Sequence, residues 1–460
     1  MLFDRMKSRR DFLRFGARAV GAAAAWGPAS LLCQRASAQS SDYKALVCIF
    51  LFGGNDANNM LIPSGAKGTA YPYSDYQTVR QGLAIAQASL APVYDPGSKQ
   101  DFGLHPSLAP LAALYKPASG ASRLAFLANV GTLVAPVPRA AKPDLSVKLP
   151  SNLYSHSDQQ TEWQNAVTAP NASSARSASS GWAGRLLDRL APSSQFPPGI
   201  GINGGALQLV GIDTQPTTVG GNGFSVANAD PDAALALDQV LKLPSNVTLI
   251  QAAQSSAKNA IEVLKTVSAL LGNAGSIQAQ FPSTDLGQQL AEVASVVSVA
   301  QSGLGATRQI FFCSQGGYDT HSAQAGTQSQ LFTELGAAMA AFDAWLQTAG
   351  FGDKVATFTE SDFSRTFQPN GNAGTDHAWG SHALIMGPVK AAQIYGTFPT
   401  LKLGGPDDAD GGRGAWAPTT SSDQYEAELA KWFGATSDAD LDYVFPNLAA
   451  FNRVTPGFLV

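Results

Sequence analysis

Three short apolar runs, each leading into a polar turn, constrain what this chain can fold into. "ALVCIFLF" (Ala45–Phe52) leads into "GGNDANN", "RQIFFCS" (Arg308–Ser314) towards "GGYDTHS", and "KVATFTE" (Lys354–Glu360) into "SDFSRT". Runs of this length, rich in β-branched and aromatic residues and bounded by Gly, Asn and Asp, read as buried strands. Leu331–Leu346 carries apolar residues at helical spacing, and "HALIMG" (His382–Gly387) offers a further strand. Strands alternating with helices predict an α/β chain whose mostly parallel sheet is flanked by helices on both faces. In such sheets ligands bind beyond the carboxyl ends of the strands. Asn55 and Asp56, Asp319 and His321, and Asp362 each follow a strand, so they are expected on one edge despite their distance in sequence.

"GTDHAWGSH" (Gly374–His382) adds Asp376, His377 and His382, two of only five histidines in the chain. Asp56, Asp319, His321, Asp362, Asp376, His377 and His382 therefore form a carboxylate-plus-imidazole set, which suits Zn, Mn or Fe better than Ca or Mg. Four gathered aspartates would repel one another, and a divalent cation relieves that. Any one of these residues reads as readily as a helix cap or a turn stabiliser. Their joint placement argues for a metal site, with Zn first and Mn or Fe as alternatives.

The other parts fit one domain over 39–460. A polar, Pro-punctuated region extends to about Gly181, with Leu104–Tyr115 expected as a helix. Ala233–Leu243, Leu249–Leu271 and Leu286–Ala300 show helical spacing and compose an Ala/Ser-rich helical insertion at about 230–305. Residues 1–38 read as a signal peptide: "SRRDFLR", a mildly apolar stretch Phe15–Leu32, then "ASA". Arg9–Arg10 followed by Phe12–Leu13 resembles a twin-arginine export signal. This implies the twin-arginine translocase as a partner and a periplasmic or secreted location. Leu32 before Cys33 argues against a lipoprotein, and Cys48 and Cys313 read as buried free thiols. No later run reaches the roughly 20 apolar residues of a membrane span, so no transmembrane anchor is expected after cleavage. A net charge of −4 without a basic block argues against nucleic acid as a partner.

"FLFGGNDANNMLIP", "LHPSLAPL", "SHSDQQTEWQ", "GGYDTHS", "TESDFSRT", "GTDHAWGSH" and "IYGTFP" resemble, in order, the motifs of the domain of unknown function family 1501. "RGAWAPTTSSDQYEAELAKWFG" and "VFPNL" extend the resemblance to the C-terminus. That bacterial family is typically twin-arginine exported and is grouped with the alkaline phosphatase and sulfatase superfamily. The resemblance implies an alkaline-phosphatase-like fold with a metal site and metal-dependent hydrolysis of phosphate or sulfate esters, on an anionic small-molecule or polymer ester. The alternative is a non-catalytic exported binding or assembly module that keeps the fold. It also implies Asp56, Asp319, His321, Asp362 and His377 as ligands. Asp376 would orient an imidazole or bind a second metal. Asn55, Asn59, Arg365 and His382 would contact substrate or support the ligands, with Arg365 clamping the anionic ester. The pattern departs from the superfamily where Phe363 stands in place of a ligand histidine, which favours one metal over two. Asp362 and Ser364 replace the family's usual Glu and Gly. Ser107 lies about where a nucleophile is expected, and no sulfatase-type cysteine motif occurs. His105 and His156, in motifs of the family, read as structural histidines.

Overall fold

The computed structural model describes residues 42–168, 179–191, 196–219, 274–300 and 303–460, with a few positions between 239 and 270. The signal segment lies outside them, as do most of Ala233–Leu243 and nearly all of Leu249–Leu271. The strands are β1 (Lys44–Leu51), β2 (Leu61–Pro63), β3 (Ala91–Asp95), β4 (Gln100–Leu104), β5 (Leu124–Gly131) and β6 (Gly199–Ile202). They continue as β7 (Thr217–Val219), β8 (Arg308–Gln315), β9 (Val355–Ser361), β10 (Ser381–Met386), β11 (Ile394–Gly396) and β12 (Thr420–Ser421). The main sheet has the order β11-β5-β10-β9-β1-β8-β6-β7, with β12 also on β5. Its pairings are parallel except those of β10, which runs against both β9 and β5. The chain is thus α/β, with a mostly parallel central sheet. Strands β2, β4 and β3 form a small antiparallel sheet beside it.

The near-continuous apolar character of β1 follows from its place at the centre, because a parallel strand covered on both faces must be apolar on both. Ala45, Val47, Ile49 and Leu51 join one core cluster with the helices Asp285–Ala300 and Gln324–Ala349. Leu46, Cys48 and Phe50 join the opposite cluster with Trp182–Leu190 and Ser422–Phe433. Each large aliphatic or aromatic side chain so buried contributes about 1.5–3 kcal/mol. Cys48 and Cys313 are buried and free, and they face opposite sides of the sheet.

Register positions the functional edge. Leu51 pairs with Gln315 of β8 and with Ser361 of β9, so three strands end level and release their turns side by side. Because β10 is reversed, with Ser381 opposite Val130 of β5, its entering end lies at the same edge.

Two expected elements differ. Leu104 closes β4 opposite Leu61, a 3-10 turn occupies Pro106–Leu108, and the α-helix is only Ala109–Tyr115. The helix expected at Leu331–Leu346 begins earlier, at Gln324. Its first turns carry no apolar stripe because Gln324 and Gln328 are buried through hydrogen bonds to the carboxylate and carbonyl of Asp56. Among the described residues no helix is long and apolar enough to cross a membrane.

Candidate metal centre

The turn after β9 and the approach to β10 form a short antiparallel ladder. Ser364 N–H donates to Trp379 O (3.1 Å), Ala378 N–H to Ser364 O (2.9 Å) and Thr366 N–H to Asp376 O (2.9 Å). This pairing carries Asp376 and His377 back over the strand ends. Gly374 is needed there, because a Cβ on it would lie 2.3 Å from the backbone carbonyl carbon of His321. On the β1 side, Gly53 has φ +112°, and a Cβ would lie 2.4 Å from the amide nitrogen of Asp319. Both glycines let the strand-end turns touch.

Three imidazoles meet at Asp319. His156 Nδ1 bonds Asp362 Oδ2 at 2.7 Å, His321 Nδ1 bonds Asp376 Oδ1 at 3.1 Å, and His377 Nδ1 bonds the Tyr154 carbonyl at 2.7 Å. Carboxylates and carbonyls only accept, so each Nδ1 carries the proton and each neutral ring keeps a lone pair on Nε2. Those Nε2 atoms all face one carboxylate. His321 lies 3.0 Å and His377 3.3 Å from Asp319 Oδ1, and His156 lies 3.6 Å from Oδ2. His156 Nε2 is buried with no hydrogen-bond partner, and the Nε2 atoms of His321 and His377 are 3.0 Å apart. Two facing lone pairs at that distance need a proton or a cation between them.

His156, Asp319 and His377 offer ligand atoms that all lie within 4.8 Å of one another. Tetrahedral coordination with Zn–N and Zn–O bonds near 2.0 Å separates ligands by about 3.3 Å, close to the spacings around Asp319. The donor set and its spacing therefore fit a divalent metal. The Nδ1 contacts are the outer hydrogen bonds that fix a ligating imidazole's tautomer and orientation. Phe363 packs on both His156 and His377, with ring centroids 4.8 and 4.7 Å away.

Electrostatics favour ionised carboxylates here. Burial pulls the Asp319 carboxyl up, but the hydrogen bond and charge of the Arg365 guanidinium outweigh it and leave it below its ordinary value. Burial also opposes ionisation of Asp376, yet hydrogen bonds from Asn370, Arg413 and His321 hold its carboxyl down at about 2. Burial lowers His377, which keeps the imidazole neutral and able to donate a lone pair. The centre opens to solvent, since the Asp319 and His321 side chains are 46% and 47% exposed.

The other expected site residues surround this group. Asp56 is buried and caps the 3-10 turn Ala57–Asn59, with its carboxylate taken up by Arg80, Gln324 and Asn58. Asn59 accepts from Tyr76 (2.8 Å) and Arg80 (3.2 Å), and Asn55 bonds Ser361 Oγ through its backbone N–H (2.8 Å). Fully buried Asp362 accepts from Gly53 N–H, Gln160 and His156, so it supports His156 and does not face the Nε2 atoms. Buried Arg365 spends its donors on Asp319 (2.8 Å), Thr375 O (2.6 Å) and Gly53 O (3.3 Å). It therefore positions Asp319, and no free edge remains to clamp an ester. His382 stacks on Phe398 and accepts from Asn129 N–H (3.0 Å), with burial pushing it down to about 4. His105 caps the turn Pro106–Leu108, and Ser107 Oγ pairs with Ser329 Oγ at 3.0 Å.

His156, read from sequence as structural, belongs to the cluster. It opens the helix His156–Asn165, and Gln160 one turn on binds the same Asp362 oxygen at 2.8 Å. That four-residue spacing within "SHSDQQTEWQ" was the available signal, since it sets an imidazole and an amide on one helical face.

Fold and site define an α/β protein with a histidine–aspartate cluster at the carboxyl edge of its sheet. The chain belongs to the family described as protein of unknown function (DUF1501), whose sequence model matches residues 43–408. No curated protein matches the chain. Among solved structures it is similar to Ps i-CgsB, at 9% identity and TM-score 0.35, over 90% of this chain and 77% of that one. The complex of Ps i-CgsB with k-i-k-neocarrahexaose gives 8% identity and TM-score 0.32 over the same shares. The C-terminal periplasmic domain of EcEptC from Escherichia coli, in complex with Zn, gives 9% identity and TM-score 0.26 over 76% of this chain and 74% of that one. TM-scores this low establish no shared architecture.

Proposed function

We propose that this chain is an exported, alkaline-phosphatase-like protein that binds one divalent cation through His156, Asp319 and His377, with His321 completing the set. Zn is the first choice for two or three imidazoles and a carboxylate, with Mn or Fe as alternatives. The observation that carries this reading is the convergence of three Nδ1-pinned imidazoles on Asp319, with His156 Nε2 buried and unpartnered. One cation suffices. Asp56 is matched by Arg80, Asp376 by Arg413, and Asp362 is saturated by neutral donors and His156.

The activity we infer is hydrolysis of an anionic phosphate or sulfate ester. A bound divalent cation supplies positive charge that polarises the ester and lowers the pKa of water. The chain's own groups hold Asp319 through Arg365 and fix the imidazole tautomers through Asp362, Asp376 and the Tyr154 carbonyl. The second reading, a non-catalytic binding or assembly module, is favoured by Ser107 being turned to Ser329. Metal-replete mature protein should carry about one metal per chain and cleave some mono- or diester, while His377→Ala abolishes turnover. A stoichiometric metal without hydrolysis above the His377→Ala background would leave the module reading.

Export rests on the sequence alone. Changing Arg9 and Arg10 together to Lys should hold the precursor in the cytoplasm, because the receptor reads the paired arginines. Undiminished periplasmic accumulation in a cell-fractionation assay would refute the twin-arginine route.

A further inference from the structure

With Arg365 buried and fully engaged, the guanidinium that meets solvent at this centre is that of Arg413. Its backbone is fixed on both sides: its N–H donates to Asp410 Oδ1 (2.9 Å) and its carbonyl accepts from Gln368 N–H (2.9 Å). Its Nη2 donates to Asp376 Oδ2 at 2.5 Å, and the other oxygen of Asp376 holds His321. The side chain is 42% exposed, and among the described residues no acceptor meets Nε or Nη1. One edge of the planar fork is therefore anchored to the centre and the rest is open.

The charges give that open edge a use. With neutral imidazoles, Asp319, Asp362 and Asp376 set against Arg365 and Arg413 leave the centre one negative charge. A divalent cation reverses the sign, and an anion is then the matching ligand. A guanidinium binds a tetrahedral oxyanion by two parallel charge-assisted hydrogen bonds, which a point-like ammonium cannot reproduce.

We propose that Arg413 is the anion-recognition residue of this site, binding the phosphate or sulfate group of the ligand beside the histidine–aspartate cluster. The proposal rests on the metal reading, and the test separates the two. Full-length mature protein, metal-loaded and chelator-treated, is titrated calorimetrically with inorganic phosphate and separately with sulfate, with metal content measured in parallel. Arg413→Ala should keep the wild-type metal content and bind the preferred anion 10- to 100-fold more weakly. Arg413→Lys should fall between the two, since it keeps the charge but loses the fork. Unchanged anion affinity in Arg413→Ala would overturn the proposal. So would a metal-loaded wild type that binds neither anion, which leaves the metal reading standing. Loss of metal from both Arg413 variants would assign Arg413 to holding Asp376 and likewise overturn it. A wild type that binds no metal refutes the metal reading, and the Arg413 titration still decides the anion site.

Discussion

His156→Ala should strip the protein of its metal and remove most of the stabilisation that metal confers. The expectation follows from the arrangement around Nε2, which is buried, unpartnered and aimed at Asp319 while Asp362 grips the other ring nitrogen. Removing a ligand should cost more than the 10- to 100-fold in affinity typical of losing a supporting hydrogen bond. A ligand bound only by the native state, present at about 1,000 times its dissociation constant, contributes about 4 kcal/mol. The wild type should therefore melt several degrees lower in chelator, while His156→Ala should melt at the chelated temperature with or without metal. His382→Ala is the control, because that ring lies in the core on Phe398 and touches none of the cluster. Elemental analysis and paired melting curves read the result. Full metal content in His156→Ala, or a wild type indifferent to chelator, would sink the assignment.

The strands that build the site edge were legible because β1, β8 and β9 are buried and so carry short runs of apolar, aromatic and β-branched residues. The turn after each carries Asp or His, and the level register of Leu51, Gln315 and Ser361 brings those turns together. Asp319, His321 and His377 meet for that reason. Four things were hidden. Strand β5, "LAFLANVG", lies in a region whose prolines and polar residues mask it, and the reversal of β10 leaves no trace in an apolar run. His156 follows no strand and enters at the start of a helix, so an edge-of-sheet argument could not reach it. The roles of Asp56, Asp362 and Arg365 depend on where each side chain turns. Arg80 and Gln324 claim Asp56, while Gly53, Gln160 and His156 claim Asp362. Those partners are set by packing between distant segments, so residue type alone gave the chemistry of each group but not its task.

Beneath the same edge, Asp423→Asn should make the protein more stable at neutral and alkaline pH and flatten its loss of stability between about pH 4 and 7. Asp423 and Glu426 lie three residues apart in the helix Ser422–Phe433, both fully buried, and none of their four carboxylate oxygens has a hydrogen-bond partner among the described residues. Glu360 faces them from the sheet, with Cys48 behind it, Tyr425 from their own helix, Glu162 from the helix His156–Asn165 and Arg185 from Trp182–Leu190. Arg185 makes hydrogen bonds to the carbonyls of Ser180, Asn165 and Val444, so it acts on the acids only through its charge. Burial pushes the Asp423 carboxyl up to about 7, and burial with repulsion from Glu360 and Asp423 raises Glu426 well above its ordinary value. A folded pKa above the unfolded one near 3.9 means that the acid form stabilises the fold. That contribution is complete below the unfolded pKa and is lost as pH rises through about 7. For a fully buried group the loss is on the order of 2–4 kcal/mol. Asparagine keeps the shape and never ionises, so the variant should gain on the wild type as pH rises from about 4 to about 7 and hold that gain above it, and Glu426→Gln should act in the same direction. Melting in chelator removes the opposing pH dependence of a bound metal, whose ligands must be deprotonated. Stability–pH curves that run parallel for wild type and both variants would show that these carboxyls stay charged in the core.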